Sequence, residues 1–247
     1  MKYVRFVFSG KEHTGTAEGK RLFDENGGDY SVDEVRFLPP VRPSKVIGLV
    51  LNYRDHADEL GLSPGESPLI FLKPPNTLVG HMENIIYPSG ATYVHYEGEL
   101  AVVIGRKTRN VTSSDALNFV RGYTVANDVT ARDFITNTFR PPVKAKGFDT
   151  FCPLGPWVAS AEDIDLDGGL QIRTTVNGEV KQEGSTLMFI HTVGEIVEFL
   201  SAFMTLYEDD IILTGTPRGI SPIKPGDVVD VDIEGIGRLT NRVASEY

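Results

Sequence analysis

The apolar residues of this sequence fall into short runs, and residues typical of turns separate the runs. Continuous apolar stretches such as 211–213 and 101–104 are far too short to cross a bilayer. Short apolar segments bounded by turns favour β-strands over helices. Strands are predicted at residues 1–8, 45–51, 69–73, 97–105, 122–127, 170–176, 179–182, 227–233 and 237–243. Without a regular alternation of strands and helices, the expected fold class is α+β and strand-rich.

Two hairpins and two helices complete this prediction. Asn177-Gly178 is a strong hairpin signal, and residues 234–236 join a second pair of strands. One helix is predicted at 115–120, with Ser113 and Ser114 as cap candidates. The other is predicted at 193–206, where Thr192 and Glu195 have capping-box spacing. Its apolar face is formed by Ile196, Phe199, Leu200 and Phe203.

A stiff, proline-rich joint at 39–43 divides the sequence into two parts. Before it lie short alternating runs with Gly, Asn and Asp turns. The first of them, residues 1–8, alternates polar with apolar residues and is typical of a strand, not of a secretory signal. We expect a small N-terminal domain at 1–42 and a catalytic domain at 43–247.

Charge and cysteine content restrict the partners and the compartment. The net charge is −10 at pH 7, which argues against a nucleic-acid partner. The same charge would repel an anionic substrate unless a metal ion or local cations reverse the sign inside the site. Cys152 is the single cysteine, so no intrachain disulfide can form and a cytoplasmic location is expected. No membrane association is expected.

Two carboxylates open one of the predicted strands. Glu97 and Glu99 are two residues apart, so in a strand they project from the same face, which Ala101 and Val103 continue. Side-by-side like charges at an apolar strand are costly unless something positive lies between them. Taken alone, the pair is also compatible with a solvated strand end.

Asp128 strengthens the case for a metal site. It ends the apolar segment 123–127, where a side chain leaves a strand at the rim of a sheet. Three carboxylates without a His or Cys pattern form an all-oxygen site, which suits Mg²⁺ or Mn²⁺. An octahedral ion would keep about three positions for water and substrate. A 2-oxo acid could chelate it, and the ion would polarise the carbonyl and stabilise an enolate.

Seven ordered motifs resemble the fumarylacetoacetate hydrolase family over residues from about 43 to the end. They are Asn52-Tyr53-Arg54-Asp55-His56, Phe71-Leu72-Lys73-Pro74, Tyr96-Glu97-Gly98-Glu99-Leu100, Ala126-Asn127-Asp128-Val129-Thr130-Ala131-Arg132-Asp133, Phe151-Cys152-Pro153-Leu154-Gly155-Pro156, Val176-Asn177-Gly178-Glu179 and Leu213-Thr214-Gly215-Thr216-Pro217. The resemblance implies a mixed β-sandwich roll with a small N-terminal β extension. It also implies a homodimer, with Mg²⁺ or Mn²⁺ on Glu97, Glu99 and Asp128.

Two further segments are similar to one branch of the family, from homoprotocatechuate (4-hydroxyphenylacetate) catabolism. They are Phe139-Arg140-Pro141-Pro142, which precedes Lys144-Ala145-Lys146, and residues 234–243. That branch contains 2-hydroxyhepta-2,4-diene-1,7-dioate isomerases and 5-oxopent-3-ene-1,2,5-tricarboxylate decarboxylases. Many of them fuse two copies of the fold. This chain has one copy of the fold, so a dimer would have to bring two copies together.

The resemblance also assigns roles to His56, Glu59 and Lys146. His56 and Glu59 lie one helical turn apart, at the spacing of a family lid pair that deprotonates water or relays a proton. Taken by themselves, the two residues would fit a solvated surface helix better than a catalytic pair. Lys146 matches a lysine that contacts substrate or the attacking water, although Lys144 lies close enough in sequence to be mistaken for it.

Four residues are candidates for substrate binding. Lys73 lies in an apolar strand and needs a partner, for which a carboxylate of the site is the natural candidate. Arg132 either contacts the ligand or only neutralises the carboxylates. Thr216 is predicted to lie in a turn, where its backbone and hydroxyl could hold a substrate carboxylate. Arg140 could pair with the distal carboxylate of a dioate or form a structural ion pair.

The reaction remains open between related chemistries. Hydrolytic relatives often carry Gln where this chain has Ile135, which favours isomerisation or decarboxylation of a 2-oxo or 2-hydroxydiene dioate. An acylpyruvate or fumarylpyruvate hydrolase and an oxaloacetate decarboxylase are the alternatives within the family. A catalytically silent carboxylate-binding protein is the alternative of a different class.

Overall fold

β-Strands dominate residues 1–135 and 141–246, the parts of the chain that the computed structural model describes. The strands are β1 (Lys2–Phe8), β2 (Lys11–Glu18), β3 (Arg21–Asp24), β4 (Asp29–Ser31), β5 (Arg36–Phe37), β6 (Val46–Val50), β7 (Leu69–Lys73), β8 (Leu78–Val79), β9 (Asn84–Tyr87), β10 (Val94–His95), β11 (Gly98–Ile104), β12 (Val120–Asn127), β13 (Thr130–Ala131), β14 (Cys152–Ser160), β15 (Gln171–Val176), β16 (Glu179–Ser185), β17 (Ile211–Leu213), β18 (Pro222–Ile223), β19 (Val228–Ile233) and β20 (Gly237–Ser245). The α-helices are α1 (Arg54–Leu60), α2 (Ser113–Ala116), α3 (Val143–Lys146) and α4 (Val193–Phe203). The α+β, strand-rich prediction is confirmed.

Two large sheets and one small sheet form the framework. The larger sheet has the order β4-β3-β2-β1-β14-β12-β11-β17-β6-β7, and β5 and β8 are attached to it. The second has the order β16-β15-β19-β20-β9, and the small one β13-β10-β18. Most neighbours are antiparallel, but β17 runs parallel to β6 and β20 parallel to β9. Side chains of both large sheets and of α4 meet in one apolar core.

Strand β11 lies at the centre of the molecule and is buried along its whole length. Leu100 and Val102 point into the core between the large sheets, whereas Ala101 and Val103 point into a second core on the opposite face. Each large aliphatic side chain buried in this way contributes about 2 kcal/mol to folding. A strand enclosed on both faces is therefore a rigid support for side chains at its ends.

The predicted strands agree with the structure to within a few residues at their ends. The segment predicted at 97–105 forms β11, which is one residue shorter at each end, so Glu97 lies just before the strand. Asn177 and Gly178 both have positive φ, 54° and 80°, as the predicted hairpin requires. The sequence does not predict β14, because Pro153 and Pro156 interrupt a segment that nevertheless pairs with both β12 and β1.

The two predicted helices are present with different limits. The helix predicted at 115–120 begins at Ser113 after Thr112, so Ser113 and Ser114 are not its caps, and a 3₁₀ turn ends it at Phe119. The helix predicted at 193–206 ends at Phe203. Its capping box between Thr192 and Glu195 is confirmed.

The face predicted for α4 is only partly buried. Ile196 and Leu200 are buried in the core, and Phe199 is partly buried against it. Phe203 is exposed at the last residue of the helix, and its ring lies edge-on to Phe199, with the ring centroids 5.5 Å apart.

Strands β1–β5 extend the larger sheet and enclose a small core of their own, formed by Val4, Phe6, Ala17, Leu22 and Phe37. They join the remainder through a two-residue pairing of β1 with β14. The division into domains at 1–42 and 43–247 stays a prediction. Within the described residues, no helix has the length and apolar character needed to cross a membrane.

Candidate metal centre

The start of β11 and the end of β12 lie side by side, and this pairing builds the centre. Gly98 is opposite Asn127 in the antiparallel ladder. The Glu97 amide donates to Asn127 Oδ1 at 2.9 Å, and the Asp128 amide donates to the Glu97 carbonyl at 2.8 Å. The ladder and these two hydrogen bonds therefore hold Glu97 and Asp128 next to each other before any contact of their own side chains is considered.

Glu97, Glu99 and Asp128 converge as the sequence predicted. One oxygen from each carboxylate lies within 4.8 Å of the others, and all three residues are buried. Three carboxylate oxygens form a hard donor set that fits a divalent ion such as Mg²⁺ or Mn²⁺. The metal-ligating role of these residues remains a proposal, but the geometry for it is present.

Three cations surround the carboxylates. Lys73 Nζ donates to Asp128 Oδ1 at 2.6 Å and to the Val129 carbonyl at 3.3 Å. Lys146 Nζ donates to Glu97 Oε2 at 3.0 Å and also to Asp128. Arg132 donates to Glu97 Oε1. The structure thus brings Lys73, Lys146 and Arg132 together with the acids from three separate motifs.

The ambiguity between the two neighbouring lysines is resolved by their positions. Lys146 is buried against the carboxylates, while Lys144 Nζ lies 4.0 Å from the centre of the Phe134 ring on the outside of α3. Burial would lower the pKa of Lys146, but Asp128 and Glu97 outweigh it and raise the pKa above its usual value. In this arrangement Lys146 is a cation rather than a base.

The carboxylates differ in their electrostatic surroundings. Burial raises the pKa of Glu97, but Lys146 and Arg132 outweigh it and bring the pKa to about 2. Burial, Asp128 and Glu97 raise the pKa of Glu99 well above its usual value. Among the described residues, Glu99 has no ion pair with a cation, and its Oε2 accepts a hydrogen bond from the Gly215 amide at 2.7 Å. A bound divalent ion would supply the positive charge that Glu99 lacks.

Helix α1 places His56 and Glu59 on one face, as their spacing predicted. His56 Nδ1 and Glu59 Oε2 are 2.9 Å apart, and Glu59 Oε1 accepts from the Gly219 amide at 3.1 Å. The preceding Asn52 donates to the carbonyl of Thr214 at 3.0 Å. The helix is therefore attached to the segment 214–219, which also contacts Glu99 through Gly215.

Thr216 is buried, and its hydroxyl is already engaged. It donates to the Gly98 carbonyl at 2.9 Å and accepts from Gln182 Nε2 at 2.9 Å. Any contact with a substrate would have to come from the backbone of the turn. Ile135 is exposed after a 3₁₀ turn, and Arg140 lies outside the described residues.

Three polar residues of this region were not predicted from the sequence. Thr130 Oγ1 lies 3.1 Å from Glu97 Oε1 and accepts from Lys146 Nζ at 2.8 Å. Tyr53 is fully buried, and the combination of burial with the charge of Glu99 raises the pKa of its hydroxyl well above the usual value. Burial and Arg132 lower the pKa of His95 to about 4. The spacing of His95 two residues before Glu97 was the available signal for that residue.

Comparisons with known proteins identify the family of the chain. The family described as "Fumarylacetoacetate (FAA) hydrolase C-terminal" matches residues 45–244. The 4-hydroxyphenylacetate degradation bifunctional isomerase/decarboxylase of Escherichia coli is 47% identical over 201 residues, which cover 81% of this chain and 47% of that protein. The chain thus spans about half the length of this relative.

Two solved structures share the whole fold. The 2-hydroxyhepta-2,4-diene-1,7-dioate isomerase of Mycobacterium marinum is 40% identical with a TM-score of 0.90, over 100% of this chain and 99% of that one. The maleylpyruvate hydrolase of Sphingobium sp. SYK-6, in complex with manganese(II) ion and pyruvate, is 27% identical with a TM-score of 0.86, over 100% of both chains. The chain belongs to the fumarylacetoacetate hydrolase family, and its relatives and structural neighbours include isomerase/decarboxylase enzymes of that family.

Proposed function

We propose that the protein is an Mg²⁺- or Mn²⁺-dependent isomerase, decarboxylase or both, acting on a 2-oxo or 2-hydroxydiene dioate in aromatic catabolism. The observation that carries the proposal is the convergence of Glu97, Glu99 and Asp128 in a buried, cation-lined centre. The names of the Escherichia coli and Mycobacterium marinum relatives support the same chemistry. The Sphingobium structure, which contains manganese and pyruvate, supports the choice of ion and of a 2-oxo acid.

The charge of the centre matches a dianionic substrate. Lys73, Lys146 and Arg132 formally balance the three carboxylates. A divalent ion would then leave an excess of two positive charges, equal and opposite to the charge of a dicarboxylate. The whole chain has a net charge of −10, so the local positive charge of the centre is what would allow an anionic substrate to enter.

Each residue of the metal centre would have a distinct role. Glu97, Glu99 and Asp128 would hold the ion, which when bound supplies a Lewis acid for the carbonyl of a 2-oxo acid. Lys73 would keep Asp128 ionised and oriented, while Lys146 and Arg132 would do the same for Glu97. Arg132, Arg140 and the turn at Thr216 would contact the substrate's carboxylates.

Helix α1, which carries His56 and Glu59, would supply the group that moves protons. In isomerisation, the 2-hydroxyl group of the diene loses its proton and a carbon of the conjugated system gains one. In decarboxylation, the C–C bond to the departing carboxylate breaks, its electron pair enters the conjugated system, and a proton is then added to carbon. His56, hydrogen-bonded to Glu59, is suited to carry that proton because an imidazole can accept a proton at one nitrogen and donate one from the other. Lys146, held as a cation by two carboxylates, would stabilise negative charge instead.

Replacement of the acidic ligands tests the proposal. We expect Glu97→Gln and Glu99→Gln to lower turnover of a 2-hydroxydiene dioate by about a thousandfold or more, because each removes a charged ligand. Exposed Glu25→Gln, in the turn after β3, is the matched control and should retain full activity. Dialysis against a chelator should abolish turnover, and Mg²⁺ or Mn²⁺ should restore it. Full activity in the chelated enzyme would disprove the proposal.

Hydrolysis of an acylpyruvate is the second candidate function, and the His56–Glu59 pair favours it. A histidine held by a carboxylate at 2.9 Å can activate water, and the Sphingobium relative is named a hydrolase. A panel assay by ¹H NMR would separate the two functions by their products. Conversion of the dioate without cleavage of acylpyruvates supports isomerisation or decarboxylation. Cleavage of the acylpyruvates alone, sensitive to Glu59→Gln, would support the hydrolase.

We also propose a homodimer. Leu69 of the edge strand β7 and its ladder partner Val50 of β6 are both exposed, so an apolar patch lies on the rim of the larger sheet. Light scattering coupled to gel filtration should give twice the mass of 27.1 kDa. A monomer at micromolar concentration would contradict the proposal.

A further inference from the structure

His95 is a buried histidine whose two ring nitrogens lack hydrogen-bond partners among the described residues. Only 6% of the residue is exposed. An imidazole always offers at least one N–H donor, and a buried polar group left unpaired costs about 1–3 kcal/mol. Buried polar side chains of folded proteins nearly always have a hydrogen-bond partner, so an unpaired imidazole calls for a ligand as its missing partner.

The strand geometry directs His95 toward the metal centre. Its neighbour Val94 points into the apolar core, so His95 faces the opposite side of β10. His95 lies directly opposite Thr130 in the pairing of β10 with β13, and opposite residues of a ladder share a face. Thr130 contacts both Glu97 and Lys146. The imidazole therefore lies on the same face as the carboxylate cluster.

A second unpaired donor lies on this face. Arg132 donates through a terminal nitrogen to Glu97, but its Nε is buried without a partner among the described residues. Tyr93 packs its ring edge-on against His95, with centroids 4.5 Å apart, and is itself about half exposed. Tyr93 thus connects the two donors, because its ring packs against His95 and its carbonyl accepts from the Arg132 amide at 2.7 Å.

We propose that His95 and Arg132 Nε together bind the second carboxylate of a dicarboxylate substrate. A carboxylate has two acceptor oxygens, which match an imidazole N–H and a guanidinium N–H, and a neutral substrate end would leave both donors unpaired. Under the proposed function, the first carboxylate and the keto oxygen would be held at the ion. The inference rests on the proposed function and adds a residue that selects dicarboxylates over monocarboxylates.

A water molecule that bridges the two donors is the rival explanation. A buried water usually makes about three hydrogen bonds, and the site could supply two of them. This rival predicts that His95 affects stability but not the choice of ligand. Ligand discrimination is therefore the measurement that separates the two.

Calorimetric titration in the presence of Mn²⁺ tests the inference without requiring turnover. The ligands are 2-oxoadipate, a dicarboxylate, and pyruvate, a monocarboxylate with the same 2-oxo acid end. The wild type should bind 2-oxoadipate more tightly than pyruvate. His95→Leu should weaken 2-oxoadipate binding about tenfold or more, since a hydrogen bond to a charged group is lost, while pyruvate binding stays within about twofold. His95→Gln keeps an N–H donor and should recover part of the affinity.

Nitrogen NMR of the wild-type imidazole is the readout if His95→Leu does not fold. With diamagnetic Mg²⁺ in place of Mn²⁺, the resonances of the His95 ring nitrogens should shift on addition of 2-oxoadipate and not on addition of pyruvate. Equal effects of His95→Leu on both ligands, or no shift with 2-oxoadipate, would overturn the role of His95 while leaving the proposed function intact. Failure of the wild type to bind either ligand with Mn²⁺ would overturn both.

Discussion

At the scale of single residues, Lys73 and Asp128 form an ion pair with almost no access to solvent. Their side chains are 0% and 1% exposed, and the Nζ–Oδ1 distance is 2.6 Å. Charges at this depth are tolerated only because each has partners, so removal of one leaves the other uncompensated. The centre is therefore sensitive to loss of its cations as well as of its acids.

Lys73→Met should destabilise the protein by about 3 kcal/mol, because the methionine fills the space but leaves Asp128 with one cation fewer. Urea unfolding monitored by circular dichroism measures the change. Lys107→Met, at an exposed position, is the control and should alter the free energy of unfolding by less than about 0.5 kcal/mol. Equal urea midpoints for the two variants would contradict the expected role of Lys73.

His81 should make stability depend on pH. Burial lowers its pKa from 6.5 to about 4, despite the opposing charge of Asp230. Its Nδ1 accepts a hydrogen bond from the Thr240 amide at 3.1 Å, which only the neutral ring can do, and Phe37 packs against the ring. The unfolded chain binds a proton at higher pH than the folded one. The contribution of neutral His81 is therefore complete above pH 6.5 and is lost as the pH falls toward 4.

Replacement of His81 by Gln, whose side-chain oxygen can accept the same bond, removes the titration. Between about pH 7 and about pH 5, the wild type should lose about 1–2 kcal/mol more stability than His81→Gln. Denaturant unfolding at the two pH values gives this difference directly. Parallel losses in both proteins would show that His81 does not titrate between these pH values.

At the scale of elements, the N-terminus of α4 has a stronger cap than that of α2. Thr192 accepts from the Glu195 amide, and Glu195 accepts from the Thr192 amide at 2.7 Å. Thr112, at the start of α2, makes no side-chain bond to the helix backbone. Two threonines in equivalent N-cap positions therefore differ in how much they stabilise their helices.

Thr192→Ala should cost about 1 kcal/mol, because it leaves an orphan backbone donor at the start of an amphipathic helix. Thr112→Ala is the matched control and should cost less than half as much. Thermal unfolding of both variants gives the comparison. A larger loss for Thr112→Ala would mean that the capping box does not contribute to the stability of α4.

At the scale of the whole molecule, the N-terminal strands meet the remainder along a narrow contact. Lys2 and Tyr3 pair with β14, Lys2 lies over the Trp157 ring, and Phe37 packs on His81. Their core is separate from the two cores that flank β11. None of these N-terminal residues contributes a side chain to the metal centre.

A chain shortened to residues 43–247 should fold and bind Mn²⁺ with an affinity within about threefold of the wild type. It should melt at least about 4 °C lower, because the edge of β14 and the Trp157 ring lose their cover. Circular dichroism and titration with Mn²⁺ measure the two properties. A shortened chain without secondary structure would disprove the predicted domain division.

Local patterns in the sequence were sufficient for most elements and for part of the centre. Alternation placed Glu97 and Glu99 on one face, and Asn177-Gly178 located a hairpin, since both depend on residues a few positions apart. Strand β14 and the end of α4 did not follow from such patterns. In β14, pairing on both sides outweighs the two prolines, and tertiary packing decides where a helix stops.

The sequence by itself determined the class of fold, the family and an acidic set suited to a hard ion. Only the tertiary structure decided which cation pairs with which acid and that Lys146 rather than Lys144 enters the centre. It also placed His95 on the face of the centre, with ring nitrogens that have no hydrogen-bond partner in the described part of the chain. The physical reason is that the alternation of apolar and polar residues depends only on positions a few residues apart in one strand. Contacts between strands depend on register and burial, to which the whole chain contributes.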